Sequence, residues 1–544
     1  MDKARSLLAR YDAWVATPRA RRALDLSLRA ACIIPPLVWL WLVAPRGRQL
    51  SGDAPHLMGI ALRLAGMIRH GEGLDAARAA WTLLAPQPPG AYLPGVLAYL
   101  ALPPDSGNGV LLAGVLGLGL VLDGVRRLGG GWVGLSFVAG AGVLWPQAEQ
   151  YGVDLLAAAC VVQSVSHLVA SEGLARRGHA AGWGAWMGAA FMVKYSAPFF
   201  LVGPCLVAGI AVLRHRRWAA LGLAIAAFAL VAGPWYGGHL REVLSYGLWS
   251  SDAGNELMSQ RAQIFREPYL SAARLVWYPT RALEVWGWLG LLAAALGLAW
   301  PAPRMPRTAR WVLGAALLLA WLLLTAQLNR QARYLLPAVP LLAALVGSSR
   351  LRWLFAPVGL MSLWCLYVVF GTPRGADYAC DPDATGPQPV LGWPWPRGAA
   401  CPQDGHADYA WVDDAVKRLA THSGEDAGAV GLLIPEGLPG VSPGEILYRS
   451  AVQGRRWSVA SPLVVRPGEW AGGAVRFEVY VAPFATETWP SRDFATLLAV
   501  VPVQPGVYQA WMAQQGYEPL ERWPFEEGWE GLIAQREPGA PPAR

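Results

Sequence analysis

The sequence has few charged residues and very few lysines. Only 15% of its 544 residues are charged, whereas a soluble protein of ordinary composition carries about 25%. Of the 45 basic residues only three are lysines, namely Lys3, Lys194 and Lys417. The chain also has no Cys-x-x-Cys pair and no Cys/His cluster, which argues against a structural zinc site. These shortages argue against an ordinary soluble enzyme and direct attention to the 54% of residues that are hydrophobic.

Charge is divided unevenly along the chain. Residues 1–371 contain 32 Lys and Arg against 16 Asp and Glu, whereas residues 372–544 contain 13 against 21. The basic residues of the first part lie in short runs between long apolar stretches, which is typical of membrane proteins. A nucleic-acid-binding protein would instead need a continuous basic face on a soluble domain, so no nucleic-acid partner is expected.

Long apolar stretches predict a polytopic α-helical membrane protein surrounded by membrane lipids. A crossing helix needs about 20 mostly apolar residues. We identify eleven candidate spans, at about 30–45, 108–125, 131–147, 153–172, 180–193, 196–213, 218–236, 283–300, 310–327, 334–348 and 352–371. The preceding residues 1–29 are polar and basic, so the first apolar run is expected to be an uncleaved anchor rather than a signal peptide.

The basic runs predict one orientation for all of these spans. With eleven spans every run falls on the side of the N-terminus; the runs are Arg19/Arg21/Arg22, Arg126/Arg127, Arg176/Arg177, Arg214/Arg216/Arg217, Arg304/Arg307/Arg310 and Arg350/Arg352. The positive-inside rule makes that side cytoplasmic. The C-terminal part then lies outside, which predicts a multi-pass inner-membrane protein with a periplasmic C-terminal domain.

Two long external loops are predicted, at 47–107 and 237–282. The apolar stretch 88–102 is too short to cross the membrane, and counting it as a span would place the second basic run outside. We therefore interpret it as an interfacial helix. Residues 55–70 have the spacing of an amphipathic helix and are expected to lie along the same surface.

Beyond residue 371 the sequence predicts a linker and then a small soluble α/β domain. The Pro/Gly-rich linker covers 372–407 and the domain 408–544. Helices are predicted at 409–421 and 507–516, and strands at 429–434, 476–482, 496–501, 518–523 and 532–536. Cys380 and Cys401 flank the linker and would be able to form a disulfide if this region lies outside the cytoplasm.

Ionisable residues at the external helix ends are the candidates for a functional site. A charge at membrane depth costs roughly 2.5–3.5 kcal/mol, so it normally has a role or a partner. The candidates are the acidic Asp53, Glu149 and Asp154 and the basic Lys194, Arg330 and Arg333. Each carboxylate is alternatively a helix cap or a solvated loop residue, and the lysine alternatively snorkels to the interface. Together they suit a reaction between a lipid phosphate and a hydroxyl or amine acceptor.

The order of several short motifs resembles that of the GT-C glycosyltransferases, which use polyprenyl-phosphate sugars. Protein O-mannosyltransferases and the lipid A aminoarabinose transferase are examples. The matching motifs lie within about residues 25–371 and are Gly52-Asp53, Pro88-Pro89-Gly90-Ala91-Tyr92-Leu93, Glu149 with Asp154, Lys194-Tyr195, and the segment 333–340. After Asp53 the sequence continues Ala54-Pro55-His56, where many members have a longer acidic signature. This departure leaves room for a changed acceptor or for lost activity.

The resemblance implies an inverting single displacement at the anomeric carbon of a polyprenyl-phosphate-linked sugar. It implies Asp53 as the general base, Asp154 with Glu149 as the position that shapes the site or binds acceptor or metal, and Lys194 and Arg333 near the lipid phosphate. Further substrate contacts are expected from His56, Tyr92, Tyr151, Tyr195, Arg330 and Tyr334. The acceptor is a lipid, a glycan or a protein. No cofactor is predicted with certainty, and a divalent metal is left open.

Two other functions remain open from the residues alone. A transporter or flippase for a lipid-linked substrate would need charges along a path through several helix centres, whereas here they cluster at one face. A non-catalytic assembly protein would bind a partner through its C-terminal domain, in which we identify no catalytic constellation.

Overall fold

The structure is a computed structural model, and the chain divides into two compact units. The residues that it describes are 18–43, 54–82, 88–103, 108–141, 143–149, 152–259, 272–301, 305–326, 332–371, 410–423, 429–435, 458–467, 477–481, 496–502, 517–526 and 529–536. The first unit comprises Met1–Pro45, Pro86–Ala91 and Val110–Ala400. The second unit comprises Arg46–Ala85, Tyr92–Gly109 and Cys401–Arg544.

Helices make up nearly all of the described chain up to residue 371. They are α1 Pro18–Val43, α2 Ala54–Arg69, α3 Gly73–Thr82, α4 Leu93–Ala101, α5 Asn108–Arg127, α6 Gly131–Ala139, α7 Leu144–Glu149, α8 Val153–Ala170, α9 Arg177–Val193, α10 Phe199–His215, α11 Trp218–Ser259, α12 Ala272–Ala299, α13 Arg307–Ala326, α14 Ala338–Gly347 and α15 Arg352–Gly371. Short 3-10 turns lie at Pro89–Ala91 and Ala332–Leu335.

Several helices are long and apolar enough to cross a membrane. Within the described residues four meet this condition by length and composition: Asn108–Arg127, Val153–Ala170, Trp218–Arg241 and Arg307–Ala326. A fifth is added if the bent pair Leu275–Leu283 and Trp286–Ala299 counts as one span. Each of the eleven predicted spans overlaps a described helix, and the number of crossings itself stays a prediction.

Two predicted segments of the helical part differ in the structure. The span predicted at 131–147 is two helices, α6 and α7, because the chain turns at Gly140. A side chain at Gly140 would meet the backbone of Gly359 and Leu363, so α15 packs directly against the break. The segment 237–282, predicted as a loop, is helical over its described residues. The stretch 88–102 contains the 3-10 turn Pro89–Ala91 and the nine-residue α4, both too short to cross a membrane. Its interfacial position stays a prediction.

Small residues allow the helices of the first unit to pack closely. A Cβ atom added at Gly203 of α10 would lie 2.2 Å from the carbonyl oxygen of Ala315 in α13. One added at Gly184 of α9 would lie 1.9 Å from the carbonyl oxygen of Ala224 in α11. These helix pairs are therefore in backbone contact, which is how helices associate where lipid offers no hydrophobic driving force.

In the second unit, α2 packs against α3 and α4. Leu57, Ile60 and Leu64 of α2 are buried as the amphipathic spacing predicts, whereas Ile68 on the same face is 39% exposed. The guanidinium of Arg69 donates to the carbonyl oxygens at the C-terminal end of α4, including that of Leu102 at 2.7 Å. A cation is favourable there because the last carbonyls of a helix lack partners and carry its negative dipole end.

The second unit also contains a six-stranded mixed sheet. Its strands are β1 Ala429–Pro435, β2 Ser458–Pro467, β3 Phe477–Val481, β4 Thr496–Pro502, β5 Tyr517–Glu526 and β6 Trp529–Arg536, in the order β3-β2-β1-β4-β6-β5. β1 is parallel to β2 and β4, and the other pairs are antiparallel. Five strands lie where the sequence predicts them, β2 was not predicted, and the helix predicted at 507–516 lies outside the described residues. The soluble character of this region stays a prediction.

One helix, α16 Ala410–Ser423, is attached to strand β5 by charged side chains. Glu521 accepts hydrogen bonds from His422 (2.8 Å) and Arg418. The Arg418 guanidinium also lies over the ring of Trp523, 5.3 Å from its centroid. The hydrogen bonds from His422 and Arg418 hold the pKa of Glu521 below its ordinary value. Protonation of this carboxylate is therefore expected to loosen the helix from the strand.

Candidate functional site

Asp154 is a buried carboxylate at the start of a membrane helix. It is the second residue of α8, after the N-cap Gly152. Its side chain is only 3% exposed, so it is neither a solvated loop residue nor the N-cap, which were the alternatives open from the sequence. A carboxylate near a helix N-terminus is favoured by the helix dipole, but burial makes an additional positive partner necessary.

Lys194 supplies that partner. It follows the last residue of α9 in extended backbone conformation, and its peptide N–H donates to the carbonyl of Ala190 (3.2 Å). The Nζ atom lies 2.6 Å from Oδ1 of Asp154, and the lysine side chain is 15% exposed. The ammonium group therefore points to a carboxylate inside the unit and does not snorkel to the interface.

A second cation reaches the same carboxylate from the 3-10 turn Ala332–Leu335. Nε of Arg333 lies 3.9 Å from Oδ2 of Asp154, and the arginine side chain is 29% exposed. The ring of Tyr334 lies beside the ammonium group of Lys194, with 5.1 Å between Nζ and the ring centroid. The structure thus brings together Asp154, Lys194, Arg333 and Tyr334, all of which the sequence singled out.

Two cations and one carboxylate lie together at this site. We refer to Asp154, Lys194 and Arg333 as the charge cluster. The carboxylate holds both cations in fixed positions at partial burial, where electrostatic interactions are stronger than in water. Such an arrangement can bind an anion, and a phosphate oxygen is the ligand that lysine and arginine commonly bind together.

The proline-rich motif lies against the end of the helix that precedes Lys194. A Cβ atom added at Gly90 would lie 2.3 Å from the carbonyl oxygen of Met192. The 3-10 turn Pro89–Ala91 therefore contacts the backbone of α9 two residues before the lysine. Only glycine allows this approach, which gives a physical reason for Gly90 within the motif.

Several predicted site residues lie outside what the structure describes. Asp53, Tyr151 and Arg330 are not among the described residues. His56 lies in α2 and Glu149 ends α7, but the description of these two positions does not extend to their side chains. Their predicted roles stay predictions.

The structure also describes two tyrosines, Tyr92 and Tyr195, that were predicted to contact the substrate. Tyr92 is 1% exposed, and its hydroxyl donates to the carbonyl oxygen of Ala80 (2.6 Å), so this group is used for packing within the second unit. Burial also raises the pKa of the Tyr92 hydroxyl. Tyr195 is half-buried in the turn that follows Lys194. A substrate contact by either side chain stays a prediction.

The sequence analysis does not predict the group of aromatic and histidine side chains that lies beside the end of α9. The Tyr236 hydroxyl donates to the carbonyl oxygen of Phe191 (2.9 Å), three residues before Lys194. One turn further along α11, His239 is buried, leaves helical geometry and stacks on the ring of Trp235 at 4.9 Å between centroids. The only signal for this break was Pro234, which lies within the predicted span.

A metal site is not formed by the described residues. Within them, no three His, Cys, Asp or Glu side chains are close enough to hold an ion together. Asp154 already contacts two cations, whose charges oppose a bound divalent metal.

Long apolar helices around a partly buried charge cluster define an integral membrane protein. Its fold is similar to that of ArnT from Cupriavidus metallidurans. The crystal structure of that protein in the apo state matches with a TM-score of 0.51 and 14% identity, over 93% of this chain and 97% of that chain. Its crystal structure bound to undecaprenyl phosphate matches with a TM-score of 0.50 and 14% identity, over 95% and 98%. No protein-family model and no curated protein matches the sequence. The likeness therefore shows a similar fold over nearly the whole of both chains.

Proposed function

We propose that the protein is a membrane glycosyltransferase that transfers a sugar from a polyprenyl-phosphate donor to an acceptor. The observation that carries this proposal is the cluster of Asp154, Lys194 and Arg333, in which two cations are held at helix ends beside one buried carboxylate. A structure with the same fold binds undecaprenyl phosphate. A fixed pair of cations suits the phosphate of such a donor, whose lipid chain the surrounding membrane accommodates.

The proposed reaction is a single displacement with inversion. Asp53 accepts the proton of the acceptor hydroxyl or amine as that atom attacks the anomeric carbon. The bond from this carbon to the phosphate oxygen breaks, and its electron pair leaves with the polyprenyl phosphate. Negative charge on the phosphate grows in the transition state, where Lys194 and Arg333 stabilise it. Asp154 positions both cations and does not itself exchange a proton.

The proposal includes the topology predicted from the sequence. Eleven spans would place the cluster, Asp53 and the C-terminal α/β domain on the periplasmic face, where the lipid-linked donor would be used. Glu149, Tyr151, Arg330 and His56 would line the acceptor or donor side of the same site.

A transfer assay tests the proposal. Purified protein is supplied with undecaprenyl-phosphate sugars and membrane acceptors, and sugar transfer is compared between the wild type and Asp53→Asn. Loss of a general base is expected to lower turnover by about 10²–10⁴-fold. Equal transfer by both proteins would remove Asp53 as the base, and no transfer by the wild type with any donor of this class would contradict the proposed function.

A further inference from the structure

Three connections of the first unit meet at one end of its helices. They are the turn after α14, the end of α12 and the turn before α6. The peptide N–H of Arg350 donates to the carbonyl oxygen of Trp300 (2.9 Å), which joins the turn after α14 to the end of α12. The hydroxyl of Ser348 donates to the carbonyl oxygen of Gly129 (3.3 Å), which joins the same turn to the start of α6. α13 begins seven residues after Trp300, so its N-terminus belongs to this end as well.

Arginines and exposed tryptophans are concentrated here. We define the basic–aromatic rim as Arg307, Arg310, Arg350 and Arg352 together with Trp300, Trp311 and Trp353. The three tryptophans are 56%, 73% and 58% exposed, respectively. Exposed tryptophan beside arginine is typical of the level at which a helix leaves the hydrocarbon core and meets lipid headgroups.

The positive charge of the rim is not neutralised by the described part of the protein. None of its four arginines makes an ion pair with a described acidic residue, and the buried Nε of Arg310 has no hydrogen-bond acceptor there. The neighbouring basic run differs, because Asp123 pairs with both Arg126 and Arg127 at 2.6 and 2.5 Å. The described residues therefore leave the positive charge of the rim unbalanced.

Helix polarity adds to this positive potential. α13 begins at Arg307 and α15 at Arg352, and neither helix has an acidic residue in its first turn. The N-terminus of a helix is its positive end, so arginines there are repelled and an anion is attracted. Two such helix ends with four arginines favour an anionic ligand more than either feature alone.

We propose that the basic–aromatic rim binds the phosphate headgroup of an anionic phospholipid from the adjacent membrane leaflet. The arginines and the two helix N-termini supply the positive potential that attracts the phosphate, and the tryptophans lie at the level of the glycerol and ester groups. The exposed indoles favour a lipid over free phosphate, because free phosphate would leave them in water. This inference depends on the membrane location of the chain and not on the glycosyl transfer proposed above.

Native mass spectrometry of the full-length protein in detergent tests the inference. Phosphatidylglycerol and phosphatidylcholine are titrated separately, and the retained lipid is compared between the wild type and the double variant Arg307→Gln/Arg310→Gln. Each arginine near an anionic surface contributes about 1 kcal/mol, so the double variant is expected to bind phosphatidylglycerol roughly 30-fold more weakly. Phosphatidylcholine is expected to bind weakly to both proteins.

Two control variants separate a built site from general positive charge. Arg176→Gln/Arg177→Gln removes two exposed arginines from the start of α9, outside the rim, and is expected to leave phosphatidylglycerol binding unchanged. Arg307→Lys/Arg310→Lys keeps the charge and is expected to retain most of the binding. The inference is overturned if the Arg176 and Arg177 variant loses as much binding as the rim variant. Unchanged binding by the rim variant, or equal retention of the two lipids, overturns it as well.

Discussion

Replacing Asp154 by Asn removes the charge that two cations share while keeping the volume of the side chain. The carboxylate is 3% exposed, and its partners Lys194 and Arg333 are 15% and 29% exposed. Breaking a fully buried pair costs about 3–5 kcal/mol, whereas an exposed pair contributes at most about 1 kcal/mol. Since both cations keep some contact with solvent, we expect a loss of about 2–3 kcal/mol in the free energy of unfolding.

Thermal unfolding in detergent, followed by tryptophan fluorescence, measures this loss. The matched control is Asp75→Asn, because Asp75 pairs with Arg78 at 3.1 Å and both side chains are well exposed, at 62% and 71%. The free energy of unfolding of the control is expected to lie within about 1 kcal/mol of the wild-type value, so the two proteins should melt at similar temperatures. If Asp154→Asn melts at the same temperature as Asp75→Asn, the ion pair of Asp154 does not stabilise the folded protein as we infer.

A second variant shows whether Asp154→Asn loses stability because cations are left unpaired or because packing is lost. In Asp154→Leu/Lys194→Met the buried pair is replaced by apolar side chains of similar size, which is often neutral or stabilising. This double variant is expected to melt at a higher temperature than Asp154→Asn. A double variant that is less stable than the single one would show that the ion pair is itself a strong net contributor.

Two further predictions follow from packing and from titration. Gly203→Val is expected to lower the melting temperature, at a cost of about 1–3 kcal/mol or more for overpacking, because the new Cβ atom would meet Ala315 at 2.2 Å. Gly209→Val in the same helix is its control, since a Cβ atom there meets nothing within 4 Å. In the second unit the pKa of Glu521 is lowered by His422 and Arg418, so the stabilisation is present above its unfolded value, near 4.5, and is lost as pH falls through the lower folded value. Hydrogen exchange of α16, corrected for intrinsic rates, is expected to accelerate at those acidic pH values in the wild type; in Glu521→Gln it is expected to be faster already at neutral pH.

The sequence was sufficient to select the residues of the cluster but not to pair them. Hydropathy and basic runs place Asp154, Lys194 and Arg333 at helix ends on one predicted side, and the motif order singles them out. Which cation meets which oxygen depends on how α8, α9 and the turn Ala332–Leu335 pack. Asp154 and Lys194 are 40 positions apart in the sequence, and no local pattern indicates that pairing.

Two features that the sequence analysis did not predict are strand β2 and the break at Gly140, and each has a physical reason. Strand β2 contains Pro462, which lacks an N–H donor and lowers the strand signal of its segment. In the structure, the ladder from β1 to β2 shifts register between Gly431 and Leu433, opposite this proline. The break at Gly140 is in contact with α15, more than 200 residues away in sequence, and the high hydropathy of the segment 131–147 does not indicate this contact.

The most direct test of the central claim is the affinity of the purified protein for undecaprenyl phosphate. The sequence offers a matched pair of lysines, because Lys194 belongs to the cluster and Lys417 is exposed on α16. A hydrogen bond to a charged group contributes about 1.5–3 kcal/mol, so Lys194→Gln is expected to bind the lipid roughly 10- to 100-fold more weakly. Lys417→Gln is expected to bind it as the wild type does. Equal affinity of all three proteins would contradict the assignment of the cluster to the donor phosphate.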